Sequence, residues 1–327
     1  MSKRRSLNKI AYVCVILILV LLMIFSGLQV LESTVFSEDQ NPTETIPHRT
    51  IVRDGISYFP RQNITVVMIL GIDKFGVVES SGSYNNDGAA DMVSLAVFDE
   101  KTKTCTVLCL NRDTMLEMPV LGIGGKEAGT VTQQLALAHT YGSGLEDSCE
   151  NTRKTVSNFL YGLQIDYYVS MNMDAISILN DAVGGVTVTV TDDFSAIDPT
   201  ITKGEITLNG AQAVHFVRTR KEMGDQTNIS RMERQKQYMD GFLEAFHQSH
   251  VNNAQFLVET YDTVSDYIVT DCTLNAMTGL LEQYADYTLN EVISPEGEAV
   301  LGETYYEFHV DKEKLDDLIL ELFYAPK

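Results

Sequence analysis

Four of the chain's arginines, Arg218, Arg220, Arg231 and Arg234, fall within HFVRTRKEMGDQTNISRMERQ, His215 to Gln235, although the whole chain carries a formal net charge of -21. Guanidinium forks match phosphate oxygens two at a time, so such a cluster, read without paired acids nearby, suits a phosphate or pyrophosphate. Arg231 and Gln235 stand four apart and project from one helix face, offering a guanidinium and an amide to the same ligand. Asp73 and Asp91, each placed at a strand end, could hold a hard divalent cation such as magnesium, which takes carboxylates together with substrate phosphates. Lone aspartates also serve as turn formers and caps, so the pair is a weak signal on its own.

The elements that would position these groups are legible nearby. Asn209 in LNGAQAVHFVRTRK is placed as an N-cap, which puts Arg218 and Arg220 at a helix exit. The helix dipole also favours cations there, with or without a ligand. Ser230-Arg231-Met232-Glu233 fits the capping-box pattern, with Ser230 as N-cap of an amphipathic helix. Arg231 and Arg234 then lie in the first turn, where the dipole disfavours a cation by some tenths of a kcal/mol and a bound anion reverses the sign. The alternative is a solvated face with an arginine paired to Glu233.

ITVVMILGID, Ile64 to Asp73, is a continuous apolar run ending in Gly and Asp, which predicts a buried central strand delivering a carboxylate. DMVSLAVF and TCTVLCL flank a polar turn at Asp99 to Lys103, as in an antiparallel hairpin, and the second runs into Asn111-Arg112-Asp113. VTQQLALAHTYG and LEDSCENTRKTVSNFLYG are predicted helices stopped at Gly142 and Gly162. IDYYVSMN, MDAISILNDAVGG and VTVTV follow as strand, helix and strand, and YYEFHV and DKEKLDDLILELF close the chain as strand and helix. The expected class is α/β, a mixed central sheet packed by helices, preceded by one N-terminal transmembrane helix.

Composition narrows the function. At 327 residues and 44% apolar content the chain can bury a real core. Its acidity argues against a general nucleic-acid surface, which needs a net basic face. The apolar run Ile10 to Leu28 is long enough to span a bilayer at about 1.5 Å per residue, and Lys3, Arg4, Arg5 and Lys9 precede it. The positive-inside bias and the lack of an Ala-x-Ala cleavage pattern favour a retained anchor over a signal peptide. The expected layout is a cytoplasmic tail (1–9), a membrane anchor (10–31), a linker (32–62) and an extracytoplasmic domain (63–327). Cys105 and Cys109 would lie roughly 13 Å apart on one strand face, too far to bridge, so buried thiols are expected.

The order of these pieces resembles the LytR-CpsA-Psr family of bacterial envelope proteins. The matching stretches are the short tail and single span, VVMILGID, ADMVSLAVFDEKTKTCTVLCLNRDT, LALAHTYG, IDYYVSMNMDAISILNDAVGGVTV, LNGAQAVHFVRTRK and RMERQ, strongest over residues 63–247. The resemblance implies a membrane-anchored phosphotransferase that moves a glycopolymer from a polyprenyl-pyrophosphate carrier to peptidoglycan outside the membrane, forming a phosphodiester. It implies a mostly apolar cleft for the prenyl chain. It implies magnesium at Asp73 and Asp91, and a pyrophosphate clamp of Arg112, Arg218, Arg220, Arg231 and Gln235, with Asp73, Asp91, Arg112, Arg218 and Arg220 as the catalytic set. Partners would be the lipid-linked glycan, peptidoglycan and membrane lipid, with no nucleic acid.

Two positions depart from that family's pattern. Ala89 stands where arginine precedes the second aspartate, and Phe75 stands where a basic residue is common, with Lys74 beside it. Losing a charged donor from a phosphate site can cost a few kcal/mol of transition-state stabilisation. Alternatives therefore stay open: a non-catalytic binder or scaffold for lipid-linked intermediates, or a polyprenyl-pyrophosphate hydrolase. Asp73, Asp91 and Asp113 are all candidates for the group that accepts the acceptor's proton.

Overall fold

A computed structural model of the chain describes residues 50–219, 228–250, 260, 263–273, 276, 279–280, 283–284 and 287–326. At its centre is a mixed six-stranded sheet. Its strands in chain order are β1 (Ile64–Ile72), β2 (Ala90–Asp99), β3 (Thr104–Leu110), β4 (Tyr167–Asn172), β5 (Ile268–Thr270) and β6 (Thr288–Ile293). They lie in the order β5-β4-β1-β2-β3-β6. β1 is central, antiparallel to β2 and parallel to β4, which accounts for its uninterrupted apolar sequence, with both faces covered. The β2–β3 hairpin forms as expected, closing with Asp99 opposite Thr104.

Alternation along the strands sends successive side chains to two cores. Val67 and Ile69 of β1 and Val169 and Met171 of β4 face one layer, built from α2 (Met173–Ala182), α3 (Gly210–Arg218) and α4 (Asn228–His250). Val66, Met68, Leu70 and Ile72 face the other, together with Tyr168 and residues of α1 (Glu146–Phe159) and α5 (Lys312–Phe323). Asn172 caps α2 through the amides of Asp174 and Ala175, and Asp311 caps α5. Among the described residues the four cysteines are free, and all but Cys109 are buried.

Several expectations change. Val131–Gln134 is not helical but belongs to a strand, Glu127–Gln134, antiparallel to Met115–Leu121; only Leu135–Tyr141 turns, as a 3₁₀ segment. Thr130, Val131 and Thr132 are better suited to a pleated surface than to a helix. Ile51–Arg53 and Ile56–Pro60, expected within a linker, are strands, and the second pairs with Tyr324–Pro326, tying the two ends of the described chain together. α4 is already helical at Asn228, so Ser230 lies inside its first turn and does not cap it. Among the described residues no helix is long and apolar enough to cross a membrane, and the expected span at 10–31 lies outside them.

Candidate functional site

The ends of β1 and β2 form the crest of the site. Their register slips by one residue, Gly71 pairing with Met92 and Ile72 with Ala90, so that Asp91 is the extra residue of a bulge. Bulges bend a strand and re-aim a side chain. Asp73 is fixed beside it, its amide donating to the Ala89 carbonyl at 2.9 Å. The two carboxylates expected to cooperate are thus delivered by adjoining strand ends, as the sequence suggested.

The arginines converge on them. Arg231 of α4 donates from Nη1 to Asp91 Oδ2 at 2.6 Å, and both side chains are buried. Arg112, in the turn after β3, donates to Asp91 Oδ1 and lies 3.3 Å from Asp113 through Nε. Arg218, the last residue of α3, donates from Nε to Asp73 Oδ1 at 2.7 Å while remaining half exposed, with its guanidinium 5.4 Å from the Phe75 ring. The expectation of arginines without nearby acids is corrected. The three clamp arginines the structure describes each meet an aspartate, because the strand ends and the helix ends are far apart in sequence and meet only on folding. Arg220 lies outside the described residues. Asp113, a proposed proton acceptor, is buried and takes a bond from Gln134 Nε2 at 3.0 Å.

Arg234 has a different task. Its Nε donates to the Phe216 carbonyl at 3.1 Å, its Nη1 pairs with Asp192 at 2.8 Å, and a further bond reaches the Thr219 carbonyl. It satisfies carbonyls left open where α3 ends and fastens that end to α4. Burial lowers its pKa from the ordinary arginine value, against the pull of Asp192. Gln235, one residue on, donates to the Val217 carbonyl at 3.2 Å.

Below the crest, on the side of α2, α3 and α4, opens a cleft whose empty space, its open mouth to solvent included, is about 750 Å³. Met92, Met171, Met173, Ile176, Met239 and Phe242 make its walls, and Asp91, Arg218 and Gln235 stand with them. Unbranched methionines give an adaptable apolar lining.

Two residues hold the loop before Asp91: Asn86, which the sequence marked with Asn85 and Asp87 as able to reshape the site, and His139, which it did not single out. Asn86 is buried and donates to the His139 and Gly142 carbonyls at 2.7 and 2.9 Å and to Ser148 Oγ at 3.1 Å, while its Oδ1 accepts from the Gly88 amide. His139 is buried with Nδ1 2.7 Å from the Gly88 carbonyl. The signal was a histidine inside the apolar run LALAHTYG. Lys74 pairs with Asp87 at 2.8 Å, and that bond holds the Asp87 carboxyl below its usual range.

Strand-end carboxylates interlocked with guanidinium groups stand at the wall of an apolar cleft, an arrangement chemically suited to an amphiphilic anion. The chain belongs to the LytR_cpsA_psr family, whose model matches residues 28–322. It is 27% identical over 259 residues to a polyisoprenyl-teichoic acid–peptidoglycan teichoic acid transferase, TagU, of Bacillus licheniformis, covering 78% of this chain and 76% of that one. The TagU of Enterococcus faecalis is 31% identical over 221 residues, 67% of this chain and 65% of the relative. Among solved structures, TagT bound to LI-WTA superposes with a TM-score of 0.59 at 25% identity, covering 80% of this chain and 90% of that one. TagV of Bacillus subtilis, at 24% identity and a TM-score of 0.60 over 80% and 96% of the two chains, shares the fold.

Proposed function

We propose that this chain is a membrane-anchored transferase that moves a glycopolymer from a polyprenyl-pyrophosphate carrier to a hydroxyl of peptidoglycan. The observation that carries the reading is the union of an apolar cleft with Asp91, Arg218 and Gln235 in its wall, which matches a ligand with a hydrocarbon tail and a charged head. The names of the relatives above supply the substrate class. An oxygen–phosphorus bond forms from the acceptor hydroxyl to the glycan-bearing phosphorus, while that phosphorus separates from the bridging oxygen. The electron pair leaves with the polyprenyl phosphate, and the hydroxyl proton ends on that phosphate or in solvent.

Such a reaction depends on in-line positioning and on neutralising charge that builds on the transferring and leaving oxygens. Arg112, Arg218 and Arg231, with Arg220 and Gln235, would form the clamp. Arg218 is the half-exposed member and meets the head group first; buried Arg231 and partly buried Arg112 set the orientation of Asp91. Asp73 and Asp91 fit magnesium in chemical kind, as hard oxygen donors on adjoining strand ends, with water and phosphate left to complete the shell. When bound, the cation would supply further charge neutralisation at the pyrophosphate. It would also compete with the arginines for these carboxylates, turning guanidinium groups toward phosphate. The domain would work outside the membrane, anchored by residues 10–31.

A second reading, a non-catalytic binder of lipid-linked intermediates, is motivated by Ala89. It is a partly buried position whose carbonyl holds the Asp73 amide, yet its side chain brings no cation to the crest. Full-length protein in detergent, given a synthetic polyprenyl-pyrophosphate glycan, magnesium and a peptidoglycan fragment, tests the choice by mass spectrometry. A glycan-phosphate-acceptor product supports the transferase. Lipid binding with no product supports the binder, and free glycan phosphate would indicate hydrolysis.

A further inference from the structure

The crest has a second pocket, on the opposite face of the sheet from the apolar cleft. Alternation separates the two: Gly71 and Met171 line the cleft, whereas Ile72, Ser170 and Asn172 line the second pocket. Lys74 and Val77 stand in its wall, on a segment tied down by Met173 N donating to the Lys74 carbonyl at 3.0 Å and Gly76 N to Asp174 at 2.6 Å.

His139 lines this pocket and is almost fully buried. Its Nδ1 faces the Gly88 carbonyl at 2.7 Å; a carbonyl only accepts, so Nδ1 carries the proton and Nε2 presents a lone pair. That Nε2 is buried and has no hydrogen-bond partner among the described residues. Burial pushes the imidazole down to about 4, against the Gly88 bond, so the ring is neutral at pH 7 and Nε2 remains an acceptor. A buried acceptor left without a donor costs free energy that an incoming O–H recovers. Other pocket groups are engaged: Asn172 bonds the Gly76 carbonyl and Asn86 bonds His139, Gly142 and Ser148.

From this geometry we infer that the pocket lined by His139, Ser170, Lys74 and Val77 is the acceptor subsite, taking a sugar hydroxyl of the peptidoglycan as a hydrogen-bond donor to His139 Nε2. The inference rests on the transferase reading for its choice of ligand. In-line displacement requires the attacking and leaving oxygens on opposite sides of the phosphorus. With the prenyl phosphate leaving toward the apolar cleft, the acceptor must arrive from the other face of the crest, where this pocket lies. His139 is a binding residue here, and no proton transfer is assigned to it.

The test uses the full-length chain in detergent and a disaccharide-peptide fragment of peptidoglycan as probe. Binding of the fragment is measured by calorimetry, and transfer kinetics are measured with acceptor and lipid donor varied separately. His139→Gln is expected to weaken fragment binding and raise the acceptor KM at least tenfold, leaving the donor KM within twofold. Val77→Trp narrows the pocket from an exposed wall position without touching the buried histidine, and is expected to do the same with an unchanged melting temperature. Unchanged acceptor KM and fragment binding in Val77→Trp would overturn the inference, as would equal losses for donor and acceptor in both variants. Should the wild type bind the fragment in a manner sensitive to both substitutions yet transfer nothing, the subsite stands and the transferase reading falls.

Discussion

Arg231 and Asp91, 140 residues apart in sequence, form a buried ion pair at 2.6 Å that joins the start of α4 to the bulge at the end of β1 and β2. The pair links the layer that walls the apolar cleft to the strand end that carries the carboxylate. Removing one member of a buried pair leaves the other charged and poorly solvated, which usually costs more than the pair itself contributes. Arg231→Ala is therefore expected to destabilise the fold by about 3 kcal/mol, with Arg112 still beside Asp91. Denaturant unfolding of the variant checks this, and an unchanged midpoint would show that the pair is not structural.

The apolar cleft predicts a substrate effect separable from stability. Met239 lies in the cleft wall and is partly exposed, so Met239→Glu should leave the fold nearly intact while placing a charge where hydrocarbon binds. Burial of an apolar side chain is worth roughly 1.5–3 kcal/mol. The KM for a long-chain lipid donor is expected to rise about tenfold or more, and less for a short-chain donor. Equal effects on both donors would place the lipid elsewhere.

His139 predicts acid lability. Burial holds its pKa at about 4, below the unfolded value of 6.5, so the fold favours the neutral ring. The associated stability is complete above pH 6.5 and is lost as pH falls toward 4, to an extent of about 3 kcal/mol. His139→Gln should lack this step between pH 6.5 and 4 in a series of thermal melts. A variant whose stability falls as steeply as the wild type in that window would count against a buried neutral imidazole.

Asp240 of α4 has the opposite sign. Burial raises its pKa to about 7, and its Oδ1 is buried without a hydrogen-bond partner among the described residues. Its contribution is most favourable when protonated and is lost as pH rises from the ordinary carboxylate range through 7. Because the side chain is only partly buried, Asp240→Asn should stabilise the protein by about 1 kcal/mol at pH 8 after solvent screening, and hardly at all at pH 4. Melts at the two values decide it.

Much of this architecture was legible because the signals were local. The unbroken apolar run of Ile64–Ile72 marked the central strand, the polar turn at Asp99 to Lys103 marked the hairpin, and Asn209 capped α3 through a reciprocal bond with Gln212. What was hidden is nonlocal. Nothing in the spacing of Asp91, Arg112 and Arg231 announces that they meet, nor that a register slip makes Asp91 the bulged residue. Two boundaries differ from expectation for the same reason. Val131–Gln134 borders a helical turn but pairs with Met115–Met118, and Ser230 matches a capping box inside a helix that has already begun. Ile51–Pro60 falls in the stretch 32–62 that reads as a polar, proline-containing linker, yet its second strand gains a pairing partner from the far end of the described chain. Phe75 was noted as a lost cation, whereas its ring supports Arg218.

Arg218 tests the central claim most directly, because it is half exposed and its described partners are Asp73 and the Phe75 ring at the surface of the crest, so its loss should largely spare the fold. Glycopolymer transfer by full-length Arg218→Ala would be measured beside the wild type, with product quantified by mass spectrometry and folding checked by melting. The predicted result is a loss of kcat of about 100-fold or more, as for removal of one charged donor from a transition-state clamp, with the melting temperature nearly unchanged. Transfer at the wild-type rate by a folded Arg218→Ala protein would contradict the clamp.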